Sequence, residues 1–218
     1  MNTRPSRNAC AALSLLAACA LLAAAAVQEL VKLPAPKMEG GGPLIDLLKN
    51  RQSSREFSDK KLPDDVMSNL LWAAWGINRP DSGKRTAPSA KDKQEVDLYV
   101  VTADGAYLFD AVEHALKLVT ADDLRAQTGG QPFVATAPAN LVYVADFAKS
   151  AGDTEEKKLI WASVTAGCII QNVYLFCGSE GLVTVVRSAP GWGDLAASLG
   201  LRGDQRILMA QTLGYPAK

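Results

Sequence analysis

Apolar residues recur along this chain with two periods, and the places where the period changes divide it into elements. Over residues 63–75, Leu70, Leu71, Ala74 and Trp75 keep the spacing of one helix face, with Pro63 at the first turn and Asp64 and Asp65 at the positive end of the dipole. Gly76 ends that helix. Shorter helices are predicted over residues 43–50 and 192–199, and helical stretches over 111–119 and 121–127. The longest periodic segment runs from Thr154 to Ser179. Glu155 and Glu156 open it, and Leu159, Ile160, Val164, Ile169, Ile170, Val173, Tyr174 and Phe176 follow. So wide an apolar surface needs cover on more than one side, which predicts a core helix that also lines a subunit interface.

Alternating or continuous apolar runs predict strands over residues 96–102, 106–109, 141–145, 182–186 and 206–213, the first two joined by a turn at Asp104 and Gly105. Helices and strands are mixed without a strict βαβ rhythm, so the expected fold class is α+β rather than doubly wound. Residues 78–93 are polar and punctuated by Pro80, Gly83 and Pro88; the stretch is too long for a plain connector and is a candidate binding loop.

The chain has 218 residues, 48% hydrophobic and 21% charged, which suffices for one sizeable core and excludes the disordered and coiled-coil classes. Its 23 basic side chains balance 23 acidic ones without a block of like charge, so no nucleic-acid partner is expected. Residues 1–26 are different: Arg4 and Arg7 with no acid, an alanine- and leucine-rich run, then four alanines before Val27. That outline is a Sec signal peptide, so the protein is expected to be exported, periplasmic or extracellular. A retained membrane anchor is the alternative reading, and Leu16 to Cys19 has the form of a lipidation site. With no twin-arginine pair to carry it folded, the chain would acquire any cofactor after translocation. Residues 27–42, with Pro34, Pro36 and three consecutive glycines, read as a flexible leader, and residues 43–218 as one domain. Cys168 and Cys177 are nine positions apart in one predicted helix and cannot bridge each other there.

Two polar clusters carry candidate chemistry. Arg51, Ser53, Ser54 and Arg55 put two guanidinium groups and two hydroxyls directly after a helix, a set suited to an anionic ligand; a solvated turn with an Arg–Glu pair is the plainer reading. Residues 84–94 place Pro88 among small Ser89 and Ala90, where main chain can approach a flat ligand, with Asp92 and Gln94 able to bond hydroxyls or ring heteroatoms. Taken alone, that second cluster reads as a surface loop.

Together these segments resemble the nitroreductase family of flavoproteins. The resemblance rests on Arg51-x-Ser53-x-Arg55-x-Phe57, the Leu-Leu-Trp-Ala-Ala-x-Gly-Ile-Asn-Arg stretch at 70–79, Pro88-Ser89, Gln131-Pro-Phe-Val with Ala137-Pro138, and Gly-Leu-Val-Thr at 181–184 leading to Leu-Gly-Tyr-Pro at 213–216. In order and spacing these cover about residues 43–216. The tryptophan-containing stretch and the run from Arg85 to Ser89 are most similar to the branch containing the azoline-oxidising dehydrogenases, although the Lys-Tyr pair associated with azoline oxidation is not evident. The resemblance implies a three-layer α+β fold, its central sheet mixed but largely antiparallel, flanked by helices. It also implies FMN as cofactor, a homodimer, and oxidoreductase activity between a small-molecule donor and acceptor. Arg51 and Ser53 match the family's FMN phosphate ligands, and Arg55 the cation at the pyrimidine edge of the flavin. Pro88, Ser89 and Ala90 match the segment that reaches the flavin from the second subunit, Asp92 stands near the ribityl hydroxyls, and Gln131 matches the amide near the ring. The backbone of Val185, Val186, Arg187 and Ser188 would lie by N5. Relatives commonly continue past the Gly-Tyr-Pro segment with basic residues, a role that falls here to Lys218 or Arg187. Retention of the fold as a flavin-binding or cofactor-less interaction protein is the alternative function.

Other chemistries find little support. Gly191-Trp192-Gly193-Asp194-Leu195-Ala196 spells a dinucleotide fingerprint, but Trp192 crowds the pyrophosphate path and too little chain follows for such a fold. His114, among Val112, Leu116 and Leu118, reads as a helix-surface or capping histidine rather than a base, and no zinc or hydrolase motif appears.

Overall fold

The computed structural model describes residues 29–189 and 191–217; the signal-peptide segment with Cys10 and Cys19, and Lys218, lie outside the described residues. In chain order the elements are β1 (Leu30–Lys32), α1 (Leu44–Asn50), α2 (Asp64–Trp75), β2 (Ile77–Arg79), β3 (Lys84–Arg85), β4 (Val96–Thr102), β5 (Gly105–Asp110) and β6 (Ala115–Thr120). They continue with β7 (Ala139–Asp146), α3 (Glu155–Ser179), β8 (Val183–Arg187), α4 (Gly193–Ser198) and β9 (Gln205–Gly214). Seven strands form one sheet in the order β1-β6-β5-β4-β7-β9-β8; the resemblance implies a mixed, largely antiparallel sheet, and here every pairing is antiparallel. β2 and β3 make a separate hairpin inside the expected binding loop.

β7 lies at the centre, and all eight of its residues are buried, so it must be apolar on both faces. On one face Leu141 and Tyr143 pack with Leu98 and Val100 beneath α2 and α3, which contribute Leu70, Leu71, Trp75, Ala166, Ile169 and Val173. On the other, Val142, Val144 and Ala210 are covered by Leu124 and by Leu195 and Leu199 of and after α4. These are the three layers. The buried Trp75 indole satisfies its only donor on the Val96 carbonyl at 2.9 Å, tying α2 to the head of β4. Thr154 caps α3 by accepting from the Lys157 N–H at 3.2 Å, with Glu155 and Glu156 in the first turn. Cys168 and Cys177 are both free; burial pushes the Cys177 thiol well above its ordinary range, so it behaves as a small core hydrophobe.

Two expectations are corrected. Residues 111–119 and 121–127 are not helical: β6 occupies 115–120, and only a short 3-10 turn at Arg125–Thr128 remains. The Asp110 carboxylate accepts the N–H groups of Val112 (2.9 Å) and Glu113 (3.0 Å), and His114 takes φ +44, so the chain reverses into a hairpin where a helix would have to continue. The leader is not wholly free either. β1 pairs with β6 in the register Leu30↔Lys117, Lys32 bonds Glu113 at 2.6 Å, and the Gly42 N–H donates to Ser179 Oγ at 2.8 Å.

His114, expected on a helix, pins this strap. Ser68 Oγ lies 2.7 Å from its Nε2 and 2.5 Å from the Pro34 carbonyl, while the Leu33 N–H donates to the His114 carbonyl. The serine proton belongs to Pro34, so the imidazole Nε2–H donates to Ser68 and the pair is structural. Burial holds the His114 pKa below its ordinary value, and the Pro34 carbonyl opposes the shift without cancelling it. The neutral ring is therefore favoured by folding; its contribution is present above the unfolded pKa of about 6.5 and is lost as pH falls through the folded value. Thermal melts between pH 7.5 and 5.5 should show the wild type losing more stability than His114→Asn; equal losses would contradict this placement.

Candidate functional site

The segment after α1 is anchored at its ends and open between them. The Ser54 N–H donates to the Thr184 carbonyl at 3.1 Å, the Ser58 N–H to the Tyr215 carbonyl at 2.9 Å, and Phe57 bridges to Pro216. Arg51, Ser53 and Arg55 stand exposed on this stretch. Neither guanidinium has a carboxylate partner among the described residues: Arg51 lies over the Tyr174 ring at 5.2 Å, and the Arg55 side chain makes no bond at all. The Arg–Glu pair of the plainer reading is thus not formed.

Tyr174, on the inner side of α3, organises this group. Its hydroxyl is 2.8 Å from Ser53 Oγ and accepts the Val186 N–H at 3.0 Å, so one phenol joins the segment 51–55 to the end of β8. With that N–H spent, the approach of β8 to a ligand falls to the backbone beyond Val186. Sequence reading took Tyr174 for a core residue only; at 8% exposure its ring is core, and its oxygen is what the pattern did not reveal. Gln131 is exposed on the loop facing this group, and that loop is fixed by Phe133 against Phe57, with centroids 5.4 Å apart.

Arg187 is turned elsewhere. Its neighbour Val186 faces α3, so by strand alternation its own side chain points to the opposite face of the sheet. There it bonds Thr128 Oγ1 (2.9 Å), Asn140 Oδ1 (2.7 Å), Thr212 Oγ1 (3.1 Å) and the Thr128 carbonyl, away from Arg51 and Ser53. Burial pushes its pKa down to about 10.

The second cluster is held by Gln94. Its amide nitrogen donates to Gly83 (3.0 Å), its amide oxygen accepts from Arg85 Nε (2.6 Å), and its backbone N–H donates to Ser89 Oγ (2.9 Å). Arg85 in turn bonds the Trp75 carbonyl at 2.8 Å. Ser89 therefore keeps its hydroxyl proton free to donate. Lys91, Asp92 and Gln94 all have positive φ, strain that this network sustains beside exposed Pro88 and half-buried Ala90.

The two clusters do not meet within one chain. Lys91 reaches the Trp161 ring, at 5.6 Å, and Arg51 the Tyr174 ring; thirteen residues of helix separate these by about 20 Å of axial rise and place them on different faces. Between them, β8 covers only the Ala210–Gly214 part of β9, so the rest of β9 leaves an open corner of about 610 Å³ against α3. It is lined by Leu159, Ile170 and Met209 and by Val186, Arg187 and Ser188 at the end of β8. Ile160 and Val164 project beside it, 52% and 64% exposed. Among the described residues no group of His, Cys, Asp and Glu could hold a metal ion.

Comparison with known proteins agrees with this architecture. The sequence profile of the nitroreductase family matches residues 48–215, and the chain belongs to that family. A crystal structure from Ralstonia eutropha JMP134, provisionally named a nitroreductase, is 40% identical with a TM-score of 0.81, over 87% of this chain and 90% of that one. A provisionally named nitroreductase of Methanocaldococcus jannaschii is 28% identical over 152 residues, 65% of this chain and 76% of its own length. A structure from Desulfovibrio desulfuricans, named as a nitroreductase in complex with FMN, shares the fold at 20% identity and a TM-score of 0.60, over 81% of this chain and 88% of that one.

Tyr174→Phe removes the bridge between Ser53 and β8 and leaves the Val186 N–H unpaired. A loss of about 1–3 kcal/mol in urea-unfolding stability is expected; a change below about 0.5 kcal/mol, the scale of ordinary surface substitutions, would show that the bridge contributes nothing.

Proposed function

We propose that this protein is an exported, homodimeric, FMN-dependent oxidoreductase working by a ping-pong cycle. The observation that carries the reading is the exposed pair Arg51 and Arg55, without carboxylate partners, flanking the Ser53 hydroxyl beside the end of β8. Two unneutralised guanidinium groups next to an oriented hydroxyl suit a phosphate and a ring that gains negative charge. The residues fit FMN in kind. Arg51 and Ser53 would hold the phosphate, Arg55 the pyrimidine edge, Gln131 the ring from the facing loop, and the backbone past Val186 the N5 side.

Bound FMN would supply the redox chemistry, taking a hydride from a donor at N5 and passing electrons to an acceptor such as a nitroaromatic or quinone. The chain's task is to bind, orient and exclude water, and no side chain need move a proton. The apolar corner of Leu159, Ile170 and Met209 suits a flat aromatic ring. Ser89, with its free proton, and Asp92 belong to the cluster at the far end of α3, so they would serve the flavin of a second copy. The exposed apolar face of α3 supports that pairing, and the N-terminal sequence supports export.

The test is direct. Purified protein is titrated with FMN, reduced, and then given a nitroaromatic or quinone; bleaching followed by acceptor-dependent recovery of the flavin band is expected. Bound flavin that never recovers would favour the interaction-protein alternative, and protein that stays colourless in excess FMN would overturn the reading. Arg51→Ala should weaken FMN binding by about 1.5–3 kcal/mol, measured by fluorescence titration, through loss of a charge-assisted phosphate contact. Val164→Asp places a charge on the exposed helix face away from both clusters. It should yield a monomer that has lost FMN, and a monomer with full flavin content would mean that one chain suffices.

A further inference from the structure

The least expected side chain in this molecule is Arg187. It is a largely buried cation with no carboxylate bonded to it among the described residues, and each of its bonds goes to a neutral oxygen. Burying a charge without a counter-charge costs several kcal/mol, and a leucine or methionine would fill the same volume without that cost. The bonds it makes say what is gained. Thr128 accepts twice, at its carbonyl and its hydroxyl, and both Asn140 on β7 and Thr212 on β9 accept once. Asn140 also receives the Thr212 hydroxyl at 2.5 Å and donates to the Val134 carbonyl at 2.9 Å. One guanidinium and one amide thus grip the loop 128–134 at both ends, and Gln131 lies between the grips.

Gly129 shows how close the fit is. A Cβ there would lie 2.4 Å from Arg187 Nη1, so a larger residue would push the guanidinium off its seat against the loop backbone. The backbone at Gly129 is extended, so contact alone, and not φ, sets the requirement.

We propose that Arg187 is a positioning residue that locks the Gln131 loop to the end of β8 and lends the site a fixed positive charge. The two elements it joins are those assigned above to the flavin ring and its N5 side, so the second half of the proposal rests on the flavin reading. Its first half does not. An unpaired cation behind the strand end favours whatever ligand state carries more negative charge in the corner beyond it. A hydrophobic strut could fix the loop but could not do this.

Hydrogen exchange followed by mass spectrometry reads the first half in the apo protein. Arg187→Gln should fold, and amides of residues 126–136 should exchange about tenfold faster, the scale of one lost hydrogen bond. Gly129→Ala, which crowds the guanidinium without removing it, should loosen the same peptides and serves if Arg187→Gln fails to fold. The midpoint potential of bound FMN reads the second half. It should move to a more negative value in Arg187→Gln and return toward wild type in Arg187→Lys, which restores charge without the planar fork. Unchanged exchange in both loop variants would overturn the lock. A loosened loop with an unmoved potential would leave Arg187 a strut alone and overturn the electrostatic role. If the wild type binds no FMN, the flavin reading and the electrostatic half fall together, and the exchange result still decides the lock.

Discussion

A 25-residue helix cannot bury all of its apolar surface on one sheet, and most of this molecule follows from how α3 divides that surface. The face bearing Ala162, Ala166, Ile169, Val173 and Cys177 lies on the sheet and forms the centre of the larger core cluster. The face bearing Ile160 and Val164 is left exposed among the described residues. Between these faces run Trp161 and Tyr174, each with a cation from a different candidate cluster over its ring. The helix is at once core, open surface and the ruler that sets the spacing of the two clusters. In the homodimer proposed above, a twofold axis across α3 would bring one chain's first cluster toward the other chain's second.

The electrostatics of the site are unusual for a chain with no net charge. Most ion pairs lie on the surface and are worth little each. Arg51, Arg55 and Arg187, by contrast, have no acidic partner among the described residues, the first two on the exposed segment after α1 and the third on the opposite face of the sheet. Lone surface cations such as Arg51 and Arg55 cost almost nothing, but a lone buried one is expensive, so Arg187 cannot be read as an accident of composition.

How much of this could be read in the sequence differs from element to element. α3 was legible because its cap, its acidic first turn and its period agree. β4, β5 and their Asp-Gly turn were legible for the same reason. β6 was not, because Val112, Leu116 and Val119 fit a helix as readily as a strand and only the Asp110 turn decides between them. The destination of Arg187 was not legible either: alternation along β8 gives it a face, but its partners Thr128, Asn140 and Thr212 come from three separated segments. Tyr174 illustrates the remaining gap, since periodicity places a ring and says nothing about the hydroxyl at its tip.

The strand β1 has a bearing on biogenesis. Leu30 is already paired in the sheet, and Glu29 accepts from the Leu118 N–H at 2.9 Å. A peptidase acting after Ala26 would have to draw an extended strip of substrate into its cleft, yet only three residues separate that bond from the first sheet-bound carbonyl. On the export proposed above, cleavage after Ala26 would therefore have to precede closure of the sheet edge.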